Sequence, residues 1–187
     1  MIALEPINKS TYQPINQTSS MIKIRNAHEV DLPAILEIYN DIILTTTAVY
    51  DYLPHTLEMR KDWWDTKQKG GYPVFLAEEN ERILGFSSFG PFRAWAAYKY
   101  SVENSVYVHR EARGKGIGKL LLSPIIETAK QMKFHTILAG IDANNEASLR
   151  LHSSFGFTPV AHFREVGFKF DHWLDLKFLQ LLLDRSG

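Results

Sequence analysis

The run Val106-Tyr107-Val108-His109-Arg110-Glu111-Ala112-Arg113-Gly114-Lys115-Gly116-Ile117-Gly118-Lys119 carries the most chemistry in the chain. An apolar, strand-like segment enters three closely spaced glycines, and these open a helical pattern. Such a turn aims backbone N–H groups and the positive end of a helix at an anion. Glycine is required where a side chain would hold phosphates away from the backbone. Arg113 and Lys115 add positive charge where a diphosphate would lie. Two familiar phosphate loops fit poorly. A P-loop separates its first glycine from the Gly-Lys pair by four residues and follows the pair with Ser or Thr. Arg113 and Leu120 occupy those places. A dinucleotide fingerprint needs a further glycine where Lys119 or Leu121 stands, although Asp142 ends the next strand as a ribose-binding acid would. That reading stays open on the motif alone, as does a glycine-rich helix start with no ligand.

A third pattern, Arg/Gln-x-x-Gly-x-Gly/Ala, is matched in full by Arg113-x-x-Gly116-x-Gly118. Through it the chain resembles the GNAT acetyltransferase superfamily, in which this turn holds the pyrophosphate of coenzyme A. A second stretch strengthens the likeness: Asn145-x-x-Ser148-x-x-Leu151-His152, followed by Gly156-Phe157. In the superfamily an Asn there contacts the coenzyme and an apolar residue packs on its pantetheine arm. The two patterns stand in the right order, with a helix and a strand between them. The resemblance implies binding of acetyl-CoA, as cosubstrate, by Val106, Tyr107, Val108, the run Arg113, Gly114, Lys115, Gly116, Ile117, Gly118 and Lys119, and Asn145, Ser148 and Leu151.

Gly90-Pro91-Phe92-Arg93, Tyr100 to Val108, Phe168-Lys169-Phe170 and Trp173-Leu174-Asp175-Leu176 narrow the match. They resemble the phosphinothricin/methionine sulfoximine N-acetyltransferases over nearly everything from Met21 to Asp184. The family implies transfer of acetyl to the α-amino group of a small, zwitterionic acceptor by direct attack in a ternary complex. Amide formation needs a neutral amine, and a free amino acid is mostly ammonium near neutral pH, so a proton must leave. Glu103 matches the family's catalytic glutamate. A carboxylate with a pKa near ~4.3 is a weak base unless burial raises it or a water relays the proton. The N–H groups of Val106 to Val108 are candidates for stabilising the oxyanion. His152, standing where many relatives have Tyr, is a candidate donor to the sulfur or to the acceptor, or a satisfied helix histidine. Arg93 can clamp an acceptor carboxylate with two parallel hydrogen bonds. Trp95 and Tyr50, with Tyr98 nearby, are candidates either to wall a side-chain pocket or for ordinary packing. Some relatives carry a second basic residue in place of Trp95, which favours a methionine-like over a phosphinate-like side chain here.

The elements that must position these groups follow from periodicity. Met21 to Arg25 alternates as a half-buried strand does. Val30, Ile35, Ile38 and Ile42 fall near one helical face, with Pro33 close to the start. Thr56 caps a helix over Leu57 to Lys69, which Gly70-Gly71 ends. Pro73 to Phe89 reads as a hairpin turning at Glu79-Asn80-Glu81, and Tyr100 to Val108 as a strand. A helix over Gly116 to Met132 buries Ile117, Leu121, Ile125, Thr128 and Met132, with Pro124 a misfit inside it. A strand at Thr136 to Ile141, a helix at Asn145 to Ser154 and two strands within Phe157 to Leu182 complete the chain. The order β, α, α, β, β, β, α, β, α, β, β predicts an α/β (α+β) fold. Its GNAT form is a mixed, mostly antiparallel twisted sheet of about seven strands, helices on both faces, and a splay between the fourth and fifth strands.

Composition removes other classes. The chain of 187 residues is 45% apolar and 22% charged, with 21 basic and 21 acidic side chains. No basic run suggests a nucleic-acid partner. With no cysteine, disulfides and a thiol nucleophile are excluded. No histidine pair or carboxylate cluster frames a metal site. No apolar run approaches the ~20 residues of a membrane span. Residues 1–20 lack a signal-peptide pattern and read as a flexible tail before a single domain over 21–187, with a start at Met21 plausible. The cytoplasm is the expected address. A homodimer is implied by the resemblance, with the aromatic stretch Phe168 to Leu182 able to contribute. The rival functions are a peptide or protein N-acetyltransferase, a catalytically silent coenzyme A sensor, and a Rossmann-type NAD enzyme.

Overall fold

The computed structural model describes residues 21–183; the tail read at 1–20 and the start at Met21 concern sequence outside or at the edge of that span. Strand β1 (Lys23–Asn26) lies at one sheet edge. Helix α1 (Leu32–Thr45) follows a short 3-10 turn and has Pro33 at its start. Arg25 grips Asp31 with both terminal nitrogens, at 2.8 and 2.9 Å, and Asp31 accepts from the His28 N–H. Ile35, Ile38 and Ile42 are buried as their spacing predicts. Val30 is 82% exposed, because it sits in the 3-10 turn and so falls out of the helical phase.

Helix α2 (Leu57–Lys69) begins where the Thr56 hydroxyl accepts from the Met59 N–H, as expected of an N-cap. Strands β2 (Val74–Glu79) and β3 (Arg82–Pro91) join through Asn80 and Glu81, both at positive φ. Two such residues give the turn whose twist suits a hairpin. Then come β4 (Ser101–Val108), α3 (Ile117–Gln131), β5 (Thr136–Asp142), α4 (Glu146–Ser153), β6 (Thr158–Lys169) and β7 (His172–Leu182). In α3 the buried seam runs through Ile117, Leu121, Leu122, Ile125, Ile126 and Ala129. Met132 is the helix cap and is 38% exposed, so the predicted stripe ends one turn early. Pro124 removes the bond to Leu120, which lies on the exposed side, where water can take the carbonyl.

The seven strands form one sheet in the order β1-β2-β3-β4-β5-β7-β6. Every neighbouring pair is antiparallel except β4 and β5. Side chains alternate across a strand, so the two faces of β4 serve different helices. Val102 joins the core packed against Leu122 and Ile125 of α3. Tyr107, on the opposite face, packs with Tyr39 of α1 and with Phe86. No helix among the described residues is long and apolar enough to cross a membrane.

Candidate active site

Strands β4 and β5 pair at only three positions, Ser101 with Thr136, Val102 with Ile137 and Glu103 with Leu138. Both strands continue, to Val108 and Asp142, without pairing again. Glu103 therefore stands at the apex of a V, as the expected splay requires. Every second N–H of β4 beyond that point faces the opening, where no β5 carbonyl meets it. The V widens into a cleft of about 790 Å³ walled by β4, β5, the glycine turn and α4.

The turn forms the outer wall. Gly114 and Gly116 have φ of +77° and +79°, a region that an L side chain enters only at a cost. Among the described residues, no backbone carbonyl accepts from the N–H groups of residues 114–118. These donors stand at the start of a fifteen-residue helix, the arrangement that binds anions. A β carbon on Gly118 would come within 3.0 Å of Leu151, so this glycine lets α3 and α4 approach. Ile117 is buried and contributes backbone to the wall. Arg113 and Lys119 line the cleft, Arg113 also donating from Nε to the Val108 carbonyl at 3.3 Å. Lys115 is exposed and lies outside that wall.

Helix α4 supplies the facing wall with Asn145, Ser148, Leu151 and His152. The Asn145 side chain caps the helix by accepting from the Ser148 N–H at 3.1 Å. His152 is 3% exposed, and burial pushes its pKa below the ordinary histidine value, against the backbone bond to Ser148. Its Nδ1 lies 2.9 Å from the Ser148 carbonyl and so carries the proton. Its Nε2 then accepts from Asn104 Nδ2 at 3.0 Å. A neutral imidazole with both nitrogens engaged has no proton to offer a leaving thiolate. Of the two readings of His152, donor or satisfied helix histidine, this hydrogen-bond pattern supports the second, with the ring holding Asn104 in place.

Glu103 is half-buried on the other face of β4. Burial raises its pKa above the ordinary carboxylate value, while the charges of Arg93 and Lys67 pull it partly back. Gly140 on β5 makes room for it: a β carbon there would stand 3.0 Å from Oε1. Lys67 of α2 donates to the Phe89 carbonyl at 2.8 Å. Burial pushes its pKa down to about 8, with Glu103 opposing that shift. Motif reading singled out neither Gly140 nor Lys67. A glycine inside an apolar strand is itself a sign of close approach, but nothing in the pattern of α2 marks Lys67.

The proposed acceptor residues are spread more widely. Arg93 is exposed, rests on the Phe92 ring at 4.8 Å, and its charge reaches Glu103. Trp95 is 70% exposed and packs loosely on Tyr98. Tyr50 bonds to Asp142 Oδ2 at 3.3 Å and to the Asp175 carbonyl at 3.1 Å, and it packs over Gly167. None of Tyr50, Arg93, Trp95 and Tyr98 lines the cleft. Asp142, weighed earlier as a ribose acid, is buried and accepts from the Asn144 N–H.

Residues 24–177 match the family model for the acetyltransferase (GNAT) domain. The chain belongs to the GNAT acetyltransferase family. The acetyltransferase is 45% identical over 164 residues to the L-methionine sulfoximine/L-methionine sulfone acetyltransferase of Salmonella typhimurium, covering 88% of this chain and 96% of that one. Among solved structures it resembles an N-acetyltransferase from Staphylococcus aureus Mu50, with a TM-score of 0.87 and 51% identity, covering 88% of this chain and 100% of that one. It also resembles a GNAT phosphinothricin acetyltransferase from Sinorhizobium meliloti solved in complex with acetyl-CoA, with a TM-score of 0.84 and 34% identity, covering 87% and 88%. The acetyltransferase is thus an acyl-transferring enzyme on the GNAT fold, and the dinucleotide reading of its glycine turn falls away.

Proposed function

We propose that the protein transfers acetyl from acetyl-CoA to the α-amino group of a small amino-acid-like acceptor of the methionine sulfoximine, methionine sulfone or phosphinothricin type. One observation carries this reading: the V between β4 and β5 has a half-buried carboxylate at its apex and unpaired N–H groups along one arm. The cleft can take the coenzyme in extended form, its diphosphate on the N–H groups of residues 114–118, with Arg113 and Lys119 alongside. Asn145, Ser148 and Leu151 border the pantetheine path. The smaller space beside Glu103, with Arg93 and Lys67 within electrostatic reach, suits a free zwitterion better than a protein tail.

The chemistry then follows from the chain's own groups. Glu103, whose raised pKa makes it a better base, takes a proton from the acceptor ammonium directly or through one water. The amine nitrogen attacks the thioester carbonyl, and the oxygen gathers charge opposite the N–H groups of Val106 to Val108. One such donor is worth roughly a hundred- to a thousandfold in rate. The second amine proton passes to water or to the departing sulfur as the C–S bond breaks, so the thiolate leaves without needing a protein acid, which accords with the engaged state of His152.

Thiol release with free methionine sulfoximine, methionine sulfone and short peptides, with the products read by mass spectrometry, tests the proposal. Acetylation of the free amino acids supports it; acetylation of peptides alone favours the peptide reading, and coenzyme binding without turnover favours a sensor. The reading includes a cytoplasmic address and a homodimer. For the dimer, Phe163, Val166, Phe168 and Trp173 form an exposed apolar stretch on β6 and β7. Light scattering on the purified protein checks it.

A further inference from the structure

A second cavity, of about 180 Å³, opens on the α1–α2 side of the sheet, and Ser105 and Tyr107 of β4 wall both it and the main cleft. Its chemistry is unusual for a buried space. Arg60 of α2 is only 2% exposed, and no carboxylate forms an ion pair with it among the described residues. The Tyr39 and Trp63 rings lie 4.0 and 4.9 Å from the guanidinium, which leaves its edges as the places for an acceptor. Nη2 meets His55 Nδ1 at 3.2 Å, while His55 Nε2 lies 3.1 Å from Asp51. The nearest carboxylate on this chain of bonds therefore reaches Arg60 only through the His55 ring. Arg60 Nε is buried and makes no hydrogen bond. An unmade bond on a buried donor is costly, and a charged one more so.

Lys67 lines the same space one helical face along, at Arg60 plus seven residues. Its ammonium spends one of its three N–H groups on Phe89 and forms no ion pair among the described residues. Ser105 adds a hydroxyl, and Trp63 and Phe86 supply apolar wall. Ser105 is two residues beyond Glu103 on the same face of β4, and Lys67 Nζ lies 2.8 Å from where a β carbon of Gly90 would be. Gly90 is the β3 partner of Glu103. Lys67 thus marks the end of the cavity nearest Glu103, Arg60 lies further along α2, and aromatic rings line the side.

We propose that this cavity is the subsite for the tip of the acceptor's side chain, and that Arg60 and Lys67 select tips bearing two hydrogen-bond acceptors on one atom, as a sulfone does with its two oxygens and a sulfoximine with its oxygen and imine nitrogen. The inference rests on the function proposed above and specifies which part of the acceptor goes where. With the amine at Glu103, the α-carboxylate is left toward Arg93, and the side chain enters between α1, α2 and β4. Methionine presents the same chain without these acceptors on sulfur, so it forfeits the bonds to the two cations while keeping the apolar contacts. Sites built to hydrogen-bond a group reject analogues lacking it, because their own donors are left unpaired.

The test compares kcat/KM for L-methionine sulfone with that for L-methionine in the wild type, Lys67→Met, Arg60→Lys and Arg60→Met. Lys67 also acts on Glu103, but that effect is common to both acceptors and cancels in the ratio. The wild type should prefer the sulfone, and the sulfone-to-methionine ratio should fall at least tenfold in Lys67→Met and in whichever Arg60 variant stays folded by acetyl-CoA binding. A wild type without preference, or a ratio that Lys67→Met leaves unchanged, overturns the subsite while the acetyltransferase reading stands. A wild type that acetylates neither amino acid overturns both.

Discussion

Gly140 of β5 lies against Glu103 of β4 so closely that any β carbon at 140 would sit 3.0 Å from the Glu103 Oε1 and 3.4 Å from the Phe178 ring. Glu103 pairs with Leu138 at the last rung before the strands part, and Gly140 lies two residues beyond that rung on the arm of β5 that leaves β4. The missing side chain on β5 is thus what lets a carboxylate occupy the apex.

Gly140→Ala should therefore harm catalysis more than folding. The carboxylate end is flexible and can retreat by a few tenths of an ångström, but a misplaced base is a poor base. A fall of roughly tenfold in kcat is expected, given that a 1 Å misplacement can cost about a hundredfold. The KM for acetyl-CoA and the melting temperature should change little. Steady-state kinetics and thermal melts check both.

Glu103→Gln should lower kcat by about a hundred- to ten-thousandfold, the usual worth of a positioned general base. It should also make the protein more stable at neutral pH. The folded-state pKa of Glu103 is raised, so the unfolded chain loses this proton first as pH rises. The stability tied to the protonated carboxyl is complete below the ordinary carboxylate value and is lost as pH climbs through the raised one. The melting temperature of Glu103→Gln minus that of the wild type should grow across that window. A difference that stays flat with pH would contradict the burial of this group.

The acid limb of kcat/KM should follow the same carboxylate. Lys67 and Arg93 both hold the Glu103 pKa down. Lys67→Met removes one of those charges, so the limb should move to higher pH. Arg93→Met should move it the same way and, as the proposed carboxylate clamp, should raise the acceptor KM as well. Profiles of kcat/KM against pH for the three proteins decide the matter.

Gly116→Ala places a β carbon at φ +79°. The left-handed region costs an L residue roughly 1–2 kcal/mol, and no neighbour lies within 4 Å to add a clash. Relief of that strain would turn the N–H groups at the start of α3 away from the cleft. A loss of about 1 kcal/mol in stability is expected, together with a KM for acetyl-CoA several times higher and a nearly unchanged acceptor KM.

His152→Phe separates structure from catalysis at the histidine. It strands Asn104 Nδ2, whose Oδ1 already lacks a partner, at a cost of about 1–3 kcal/mol. Since His152 has no proton to donate, the pH profile should keep the same limbs as the wild type. Loss of a basic limb would restore it as an acid.

Much of this was legible in the chain. Periods of two and near 3.6 located all seven strands and the four helices, and the Thr56 cap and the Asn80-Glu81 turn fell where local chemistry put them. The glycine turn and the Asn145 helix, singled out by their motifs, both wall the main cleft. Val30 and Met132 were misplaced at helix ends, where the period stops meaning burial. His152 was read as a candidate acid because a sequence displays a residue type but not its partners; Ser148 and Asn104 occupy both nitrogens only once α4 docks on β4. Tyr50 was read as a pocket wall or as ordinary packing, and what its type could not show is that its hydroxyl bonds Asp142 and the Asp175 carbonyl.

The sequence alone determined what is written in local steric terms: which segments are helix or strand, where glycine is obligatory, and that a strand must run through Glu103 into a glycine turn that opens a helix. These depend on residues within a turn or two of one another. Tertiary structure decided what depends on distance through space. It set Glu103 between Gly140, Lys67 and Arg93, pushed the His152 pKa down by burying it, and brought Arg60 and Lys67 to one cavity with no salt bridge to either among the described residues. A charge or proton takes its character from what surrounds it, and those surroundings come from strands and helices far apart in the chain.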